Sequence, residues 1–302
     1  TKDMTARILE TQGRVLRTEG NLNNQYGLPL TLLRLERSHH FAVVELGMSA
    51  PGELYALSRT AAPDVAIITN VGAAHLEFFV SEDAIAAAKA EILDGLRASG
   101  HAVLNRDDSR LVRIGEKSGR SVVWFGLGRD ADVSATSLLH SDQGTKFSLE
   151  VRGKTATVEL AMFGPHFVSN FLAATAAASC LGVGMEDAIR AASTLVPTDR
   201  RGAVRLLGAG VRLVDDCYNA SPEAVTAAIG ALGLVGGKRR VAFLGDMLEL
   251  GGRGAELHRT LGASLAGQVD VLVAAGDLSR QTLVGALAGG LEPSCVRHVA
   301  DS

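Results

Sequence analysis

The feature that most limits how this chain folds is an alternation of short apolar segments with longer helical patterns. Phe41-Ala42-Val43-Val44-Glu45 and Val65-Ala66-Ile67-Ile68-Thr69 are apolar until their last residue, the pattern of strands covered on both faces. Ala102-Val103-Leu104 and Val122-Val123-Trp124-Phe125 are shorter versions. Helical periodicity fills residues 28–35, 53–60, 81–97 and 109–117. This rhythm predicts an α/β fold with a mostly parallel, doubly wound sheet. Aromatic residues make up only 4% of the chain, so its core must be aliphatic, which suits helices packed on such a sheet.

The rhythm changes between residues 132 and 160. Lys146-Phe147-Ser148-Leu149-Glu150-Val151 and Thr155-Ala156-Thr157-Val158-Glu159-Leu160 alternate in polarity around Arg152-Gly153-Lys154. That predicts a hairpin and a half-exposed antiparallel extension. Ala-rich helices are expected over residues 169–181 and 185–195, broken at Gly182 and Gly184. The polar stretch Pro197-Thr198-Asp199-Arg200-Arg201-Gly202 marks a boundary between a first domain, 1–198, and a second, 199–302. Strands at 211–214, 240–244, 271–274 and 296–299, with helices at 222–234, 256–265 and 278–287, form a second βα series. Thr1 to Leu9 reads as the body of an amphipathic helix, and both ends read as cut from a longer chain.

A net charge of -3 with no basic tract argues against a nucleic-acid partner. The cysteines, Cys180, Cys217 and Cys295, are far apart, which argues against a disulfide framework or zinc site and suits a reducing cytosol. No apolar run approaches the roughly 18 residues that a membrane span needs.

Ligands of α/β proteins gather beyond the carboxyl ends of the strands, so polar residues just past apolar segments are the candidates. Glu45 offers a hard oxygen for Mg²⁺, although a strand-end salt bridge is the commoner role. His75 follows the segment 65–69 through the turn Asn70-Val71-Gly72-Ala73-Ala74. It shares an edge with Glu45 if the two strands are neighbours; a capping or core histidine is the ordinary alternative. Lys89 lies in a helical stretch where a solvated face is the bland reading, and Glu91 points away from it. Gly20-Asn21-Leu22-Asn23-Asn24 is either a turn or a loop whose amides meet a ligand.

His166 and Asn170 share a helical face if the helix has begun by His166. Asp215-Asp216-Cys217-Tyr218-Asn219 precedes Ser221-Pro222; its acids suit ribose hydroxyls, while Ser221 suits a helix cap. Cys217 reads as a small buried hydrophobe. Gly245-Asp246-Met247-Leu248-Glu249-Leu250-Gly251 reads as a structural turn.

In this order, Gly20-Asn21-Leu22-Asn23-Asn24, Glu45-Leu46-Gly47-Met48, Thr69 to Glu77, Ala88-Lys89-Ala90-Glu91-Ile92 and Asp215 to Pro222 form a series that resembles the Mur ligases of peptidoglycan synthesis. Pro51-Gly52-Glu53 and Gly245-Asp246-Met247 point to the branch that adds D-alanyl-D-alanine. The resemblance implies a central ATP-binding domain with a mostly parallel sheet, then a Rossmann-like C-terminal domain that helps bind the incoming amine. It implies ATP and Mg²⁺ as cofactors, and UDP-N-acetylmuramoyl-tripeptide and D-alanyl-D-alanine as substrates joined through an acyl phosphate. It also implies a cytoplasmic monomer with no membrane insertion.

Carried over by motif, Glu45 and His75 hold Mg²⁺, and Lys89, carbamylated by CO₂, supports a second metal. Asn170 contacts adenine with His166 beside it, Arg201 meets the phosphates in competition with Arg200 and Arg205, and Asp216 meets the ribose. Asn21, Asn23 and Asn24 line the acceptor side. In the family, a phosphate-binding Gly-x-x-Gly-Lys-Thr loop directly precedes the segment resembling Thr1-Lys2-Asp3-Met4. That loop is not in this sequence, so the resemblance implies poor turnover by the chain alone and an active longer parent. A sister ligase adding another amino acid, and a non-catalytic nucleotide- or partner-binding module, stay open as alternatives.

Overall fold

The structure, a computed structural model, describes every residue except 74, 75, 129, 142, 301 and 302. The chain opens with α1 (Lys2–Leu9), whose Met4, Ile8 and Leu9 enter the main core. Strands β1 (Val15–Arg17) and β2 (Phe41–Val43) then pair in parallel, Val15 opposite Phe41. Helices α2 (Gly27–Leu32) and α3 (Glu53–Ala61) lie on either side of β2 in sequence.

A six-stranded sheet follows, ordered β3-β4-β5-β6-β7-β8. Its strands are β3 (Val65–Ile68), β4 (His101–Asn105), β5 (Ser121–Gly126), β6 (Val133–Ser141), β7 (Gly144–Val151) and β8 (Lys154–Leu160). The first four are mutually parallel, and β6 to β8 form the antiparallel extension expected from the alternating sequence. Helices α4 (Glu82–Ala90) and α5 (Ser109–Lys117) make the parallel crossovers. The long α6 (Pro165–Cys180) buries Val168, Phe171, Leu172 and a run of alanines. Phe171 meets Phe147 edge-on, ring centres 6.0 Å apart, a favoured aromatic geometry. Helix α7 (Met185–Ala192) closes this core with Ala188, Ala191 and Ala192.

The chain then forms an antiparallel pair, β9 (Ala203–Leu206) with β10 (Arg212–Asp215), and α8 (Pro222–Val235). A parallel sheet ordered β11-β12-β13 completes the second unit, built from β11 (Val241–Leu244), β12 (Val271–Ala275) and β13 (Val296–Val299). Between them run α9 (Gly254–Ser264) and α10 (Ser279–Ala288).

Several sequence expectations need correction. β2 pairs with β1 and β3 with β4, so the strands before Glu45 and before residue 75 are not hydrogen-bonded neighbours. Nor is β2 covered on both faces, since Ala42 is exposed. The helix expected over 81–97 stops at Ala90 and passes into a 3-10 turn, Glu91–Asp94. There the Glu91 carboxylate leaves to accept the Gly52 and Tyr55 N–H groups at 2.8 and 3.2 Å, satisfying the start of α3. Helix α6 starts four residues before the expected 169, at Pro165; proline suits that first position because its missing N–H would have no helical partner. Strand β9 was not foreseen, because its residues mix polar and apolar types without a clear period.

The approach of α9 to α10 depends on two glycines. A Cβ on Gly262 would lie 1.9 Å from the Thr282 carbonyl oxygen, and one on Gly285 1.9 Å from that of Arg259. Both clashes are with backbone, so a methyl group there must push the helices apart. Gly262→Ala is therefore expected to destabilise the second unit by about 1–3 kcal/mol. A lowered urea midpoint of its unfolding checks this; an unchanged midpoint contradicts it.

Candidate functional site

The candidate residues gather beyond the carboxyl ends of the strands in three clusters. The first lies past β1 and β2. Asn23 donates from Nδ2 to Glu45 Oε1 at 2.9 Å, and Gly47 N–H donates to the Asn23 carbonyl at 2.8 Å. The buried Thr18 hydroxyl accepts the Glu45 N–H at 3.0 Å, while Lys2 Nζ donates to the Thr18 carbonyl at 2.7 Å. A Cβ on Gly47 would stand 2.9 Å from the Asn23 amide carbon, so glycine is what admits Asn23 beside the loop. Asn24 turns its side-chain oxygen to the Tyr26 and Gly27 N–H groups at the start of α2. Asn21 is exposed.

The second cluster surrounds Lys89. It is half-buried rather than on a solvated face, and its ammonium donates to the Asn70 carbonyl at 2.7 Å. Burial pushes its pKa down from 10.5, opposed by the charges of Asp108 and Glu223. Asp108 accepts the Val71 N–H at 2.7 Å while capping α5 through the Arg110 and Leu111 N–H groups. Asn105 donates to the Thr69 carbonyl at 2.9 Å. Glu223, on α8, accepts the Ala73 N–H at 2.9 Å. His75, the proposed partner of Glu45, lies outside the described residues.

The third cluster brings α6 to the start of the second unit. His166 and Asn170 do share one helix, as their spacing required. Asn170 Oδ1 accepts from the Thr1 hydroxyl at 2.5 Å. His166 Nδ1 is buried without a hydrogen-bond partner among the described residues, and burial pushes the imidazole below its usual pKa. The Arg201 guanidinium lies 4.0 Å above the Tyr218 ring, a cation–π contact. Arg205 is instead tied to Asp199 and Asp215 at 2.5 and 3.3 Å. Burial raises the Asp216 pKa, opposed by the Gly202 N–H and Arg201. Cys217 corrects an expectation: it is exposed, and its thiol donates to Asp215 at 3.2 Å.

Thr1 links the first and third clusters. Its hydroxyl meets Asn170, and Lys2 beside it donates to the Thr18 carbonyl. Asn105, Asp108 and Glu223 hold the backbone of Thr69, Val71 and Ala73 beside Lys89, a role that the sequence alone does not reveal. Asn105 and Asp108 follow the apolar segment 102–104, the same signal that selected Glu45. The turn after β11 is also braced: the buried His258 accepts the Met247 N–H at 3.0 Å and bonds the Gly254 carbonyl at 2.8 Å.

Among the described residues, no three His, Cys, Asp or Glu side chains converge as a metal cage. Mg²⁺ needs no such cage, because it keeps several waters and takes one or two carboxylates beside substrate phosphates. Glu45 fits that demand: Asn23 orients one carboxylate oxygen, and the other makes no hydrogen bond among the described residues.

The Mur ligase middle domain matches residues 1–178, and the Mur ligase glutamate ligase domain matches 200–302. The UDP-N-acetylmuramoyl-tripeptide–D-alanyl-D-alanine ligase of Bacillus subtilis is 37% identical over 289 residues, 95% of this chain and 62% of that protein. The Escherichia coli enzyme of the same name is 36% identical over 92% of this chain and 62% of its own length. The chain thus spans about three-fifths of these relatives. A crystal structure of MurF from Acinetobacter baumannii superposes with a TM-score of 0.91 at 33% identity, over 99% of this chain and 64% of that one. MurF from Thermotoga maritima in complex with ADP gives 0.86 at 29% identity, over 100% and 73%. With strand-end clusters of this chemistry on two α/β units, and a family match over both, the chain belongs to the Mur ligase family.

Proposed function

We propose that this chain forms the ATP-binding domain (1–198) and the amine-binding domain (199–302) of an ATP-dependent ligase that joins D-alanyl-D-alanine to UDP-N-acetylmuramoyl-tripeptide. The observation that carries this reading is the likeness, along 95% of the chain, to a ligase named for that reaction. The geometry agrees with it, because Glu223 and the Glu249 carbonyl of the second unit accept from Ala73 and Glu77 in the connection after β3 of the first.

The chemistry is phosphoryl transfer followed by acyl transfer. A carboxylate oxygen of the tripeptide attacks the γ-phosphorus of ATP, the bond to ADP breaks, and an acyl phosphate forms. The dipeptide amine attacks the acyl carbon, the C–O bond breaks, and phosphate leaves with the former carboxylate oxygen while the amine loses a proton. Such reactions depend on positioning and charge neutralisation. Glu45, with His75 by family likeness, would hold Mg²⁺, which would supply positive charge against the phosphates.

The chain's own residues do the rest. Asn23 fixes the Glu45 carboxylate. Asn170, with His166 one turn earlier on α6, would contact adenine, as the family likeness implies. Arg201, with no carboxylate tied to it among the described residues, meets the phosphates, whereas Arg205 is engaged by two acids. Asp216 accepts from the ribose. Asn21 and Asn24 face the acceptor side, Asn24 through its amide nitrogen.

Lys89 carries a carbamate in the working enzyme. Only a neutral amine adds CO₂, releasing a proton, and the lowered pKa raises the neutral fraction. The enzyme acts as a cytoplasmic monomer; no helix of the described residues is long and apolar enough to cross a membrane.

The test is phosphate release from ATP by the full-length gene product with Mg²⁺ and the UDP-linked tripeptide. Release should depend on D-alanyl-D-alanine; release indifferent to the dipeptide contradicts the proposal. Asn23→Ala, which unfastens Glu45, should weaken Mg²⁺ affinity roughly 10–100-fold, read as the Mg²⁺ concentration for half-maximal release. For Lys89, a carbon-13 NMR titration without CO₂ should place its midpoint below the ordinary 10.5. In that form the unfolded chain binds the extra proton between the two values, so this group's contribution to stability rises with pH across that window. A midpoint at or above 10.5 contradicts the assignment.

A further inference from the structure

The connection from β3 to α4 is held by the other α/β unit. Ala73 N–H donates to Glu223 Oε1 at 2.9 Å, and Glu77 N–H donates to the Glu249 carbonyl at 2.9 Å. The acceptors come from separate elements, the first turn of α8 and the turn after β11. Both approaches are close. A Cβ on Gly72 would stand 3.0 Å from the Glu223 carboxylate, and one on Gly251 would stand 3.1 Å from the Glu77 Cα. Gly251 also has φ +55, in the left-handed region that favours glycine.

A glutamate in the first turn of a helix has an ordinary role, complementing the helix dipole. Here Ser221 supplies the cap of α8, and the Glu223 carboxylate reaches a backbone amide 150 residues away in sequence. Within the first unit, Asp108 holds the neighbouring Val71 N–H and Lys89 holds the Asn70 carbonyl. The backbone from Asn70 to Ala73 is thus fastened partly by its own unit and partly by Glu223.

We propose that Glu223 is a positioning residue of the ligase site: it fixes the connection after β3 only while the second unit is docked, and so couples docking to metal binding. This rests on the ligase reading above. If the second unit swings away, Ala73 and Glu77 lose their acceptors together, and the first unit's share of the site loosens. Lys89 feels the same carboxylate, which favours its charged form.

The test compares Glu223→Ala and Glu223→Gln in the full-length gene product by amide hydrogen exchange and Mg²⁺-dependent turnover. In Glu223→Ala, exchange at Ala73 should quicken roughly tenfold, with Glu77 following, while Val71, held by Asp108, stays unchanged. Glu223→Gln keeps an acceptor oxygen and should restore Ala73 to within about twofold of the unaltered protein. The Mg²⁺ concentration for half-maximal phosphate release should rise several-fold in Glu223→Ala, with kcat at saturating Mg²⁺ nearly unchanged. Unchanged exchange at Ala73 overturns the proposal. So does equal quickening at Val71, which marks general loosening, or a fall in kcat with the Mg²⁺ requirement unmoved. Absence of dipeptide-dependent release in the unaltered protein counts against the ligase reading instead, and the exchange comparison still decides the role of Glu223.

Discussion

Two of the three clusters of candidate residues follow from one constraint on parallel sheets. A strand that is followed by a helix and then by a parallel neighbour must release its connection at its carboxyl end. In this chain, β1, β3 and β4 each end in a polar connection, carrying Asn23, Lys89's partner Asn70, and Asp108 respectively. The antiparallel strands β6 to β8 carry no candidate residue themselves, and the segment after β8 leads into α6, which carries His166 and Asn170. The apolar interior of α6 is the counterpart of this arrangement: its alanines pack closely on the sheet, while Asn170 reaches Thr1.

Several polar groups of the candidate site are already held: the Lys89 ammonium by a backbone carbonyl, Asp108 by three backbone N–H groups, and the Glu45 carboxylate by the Asn23 side chain. Side chains fixed in this way lose little freedom when a substrate arrives, which is how a site reduces the cost of ordering. The exposed ion pair of Arg205 with Asp199 adds little stability, on the order of 1 kcal/mol or less. Its consequence is to occupy Arg205 and leave Arg201 stacked on Tyr218 beside Asp216.

Much of this was legible in the sequence, because strand ends and helix caps are local patterns. The apolar runs located β3, β4 and β5, and the alternation around Gly153 located the β7–β8 hairpin. Glu45, Lys89 and Asn170 are singled out by family likeness; by position alone they read as a strand-end salt bridge, a solvated face and a helix cap. What escaped depends on long-range partners. The break of α4 follows from Glu91 reaching Gly52. Asp108 reads as an ordinary cap, which it is, and its hold on Val71 appears only once β3 and β4 are paired. Glu223 reads as a first-turn acid because its partner lies on the other unit. Cys217 was misjudged because a hydrophobe count cannot tell a buried thiol from an exposed one beside Asp215.

The most direct test of the central claim follows an oxygen atom. The tripeptide's terminal carboxylate is labelled with oxygen-18, and the full-length gene product is allowed to turn over with ATP, Mg²⁺ and D-alanyl-D-alanine. If the carboxylate is activated as an acyl phosphate, each phosphate released carries one labelled oxygen. Phosphate released without label would contradict the account, since the carboxylate would then never have been joined to phosphorus.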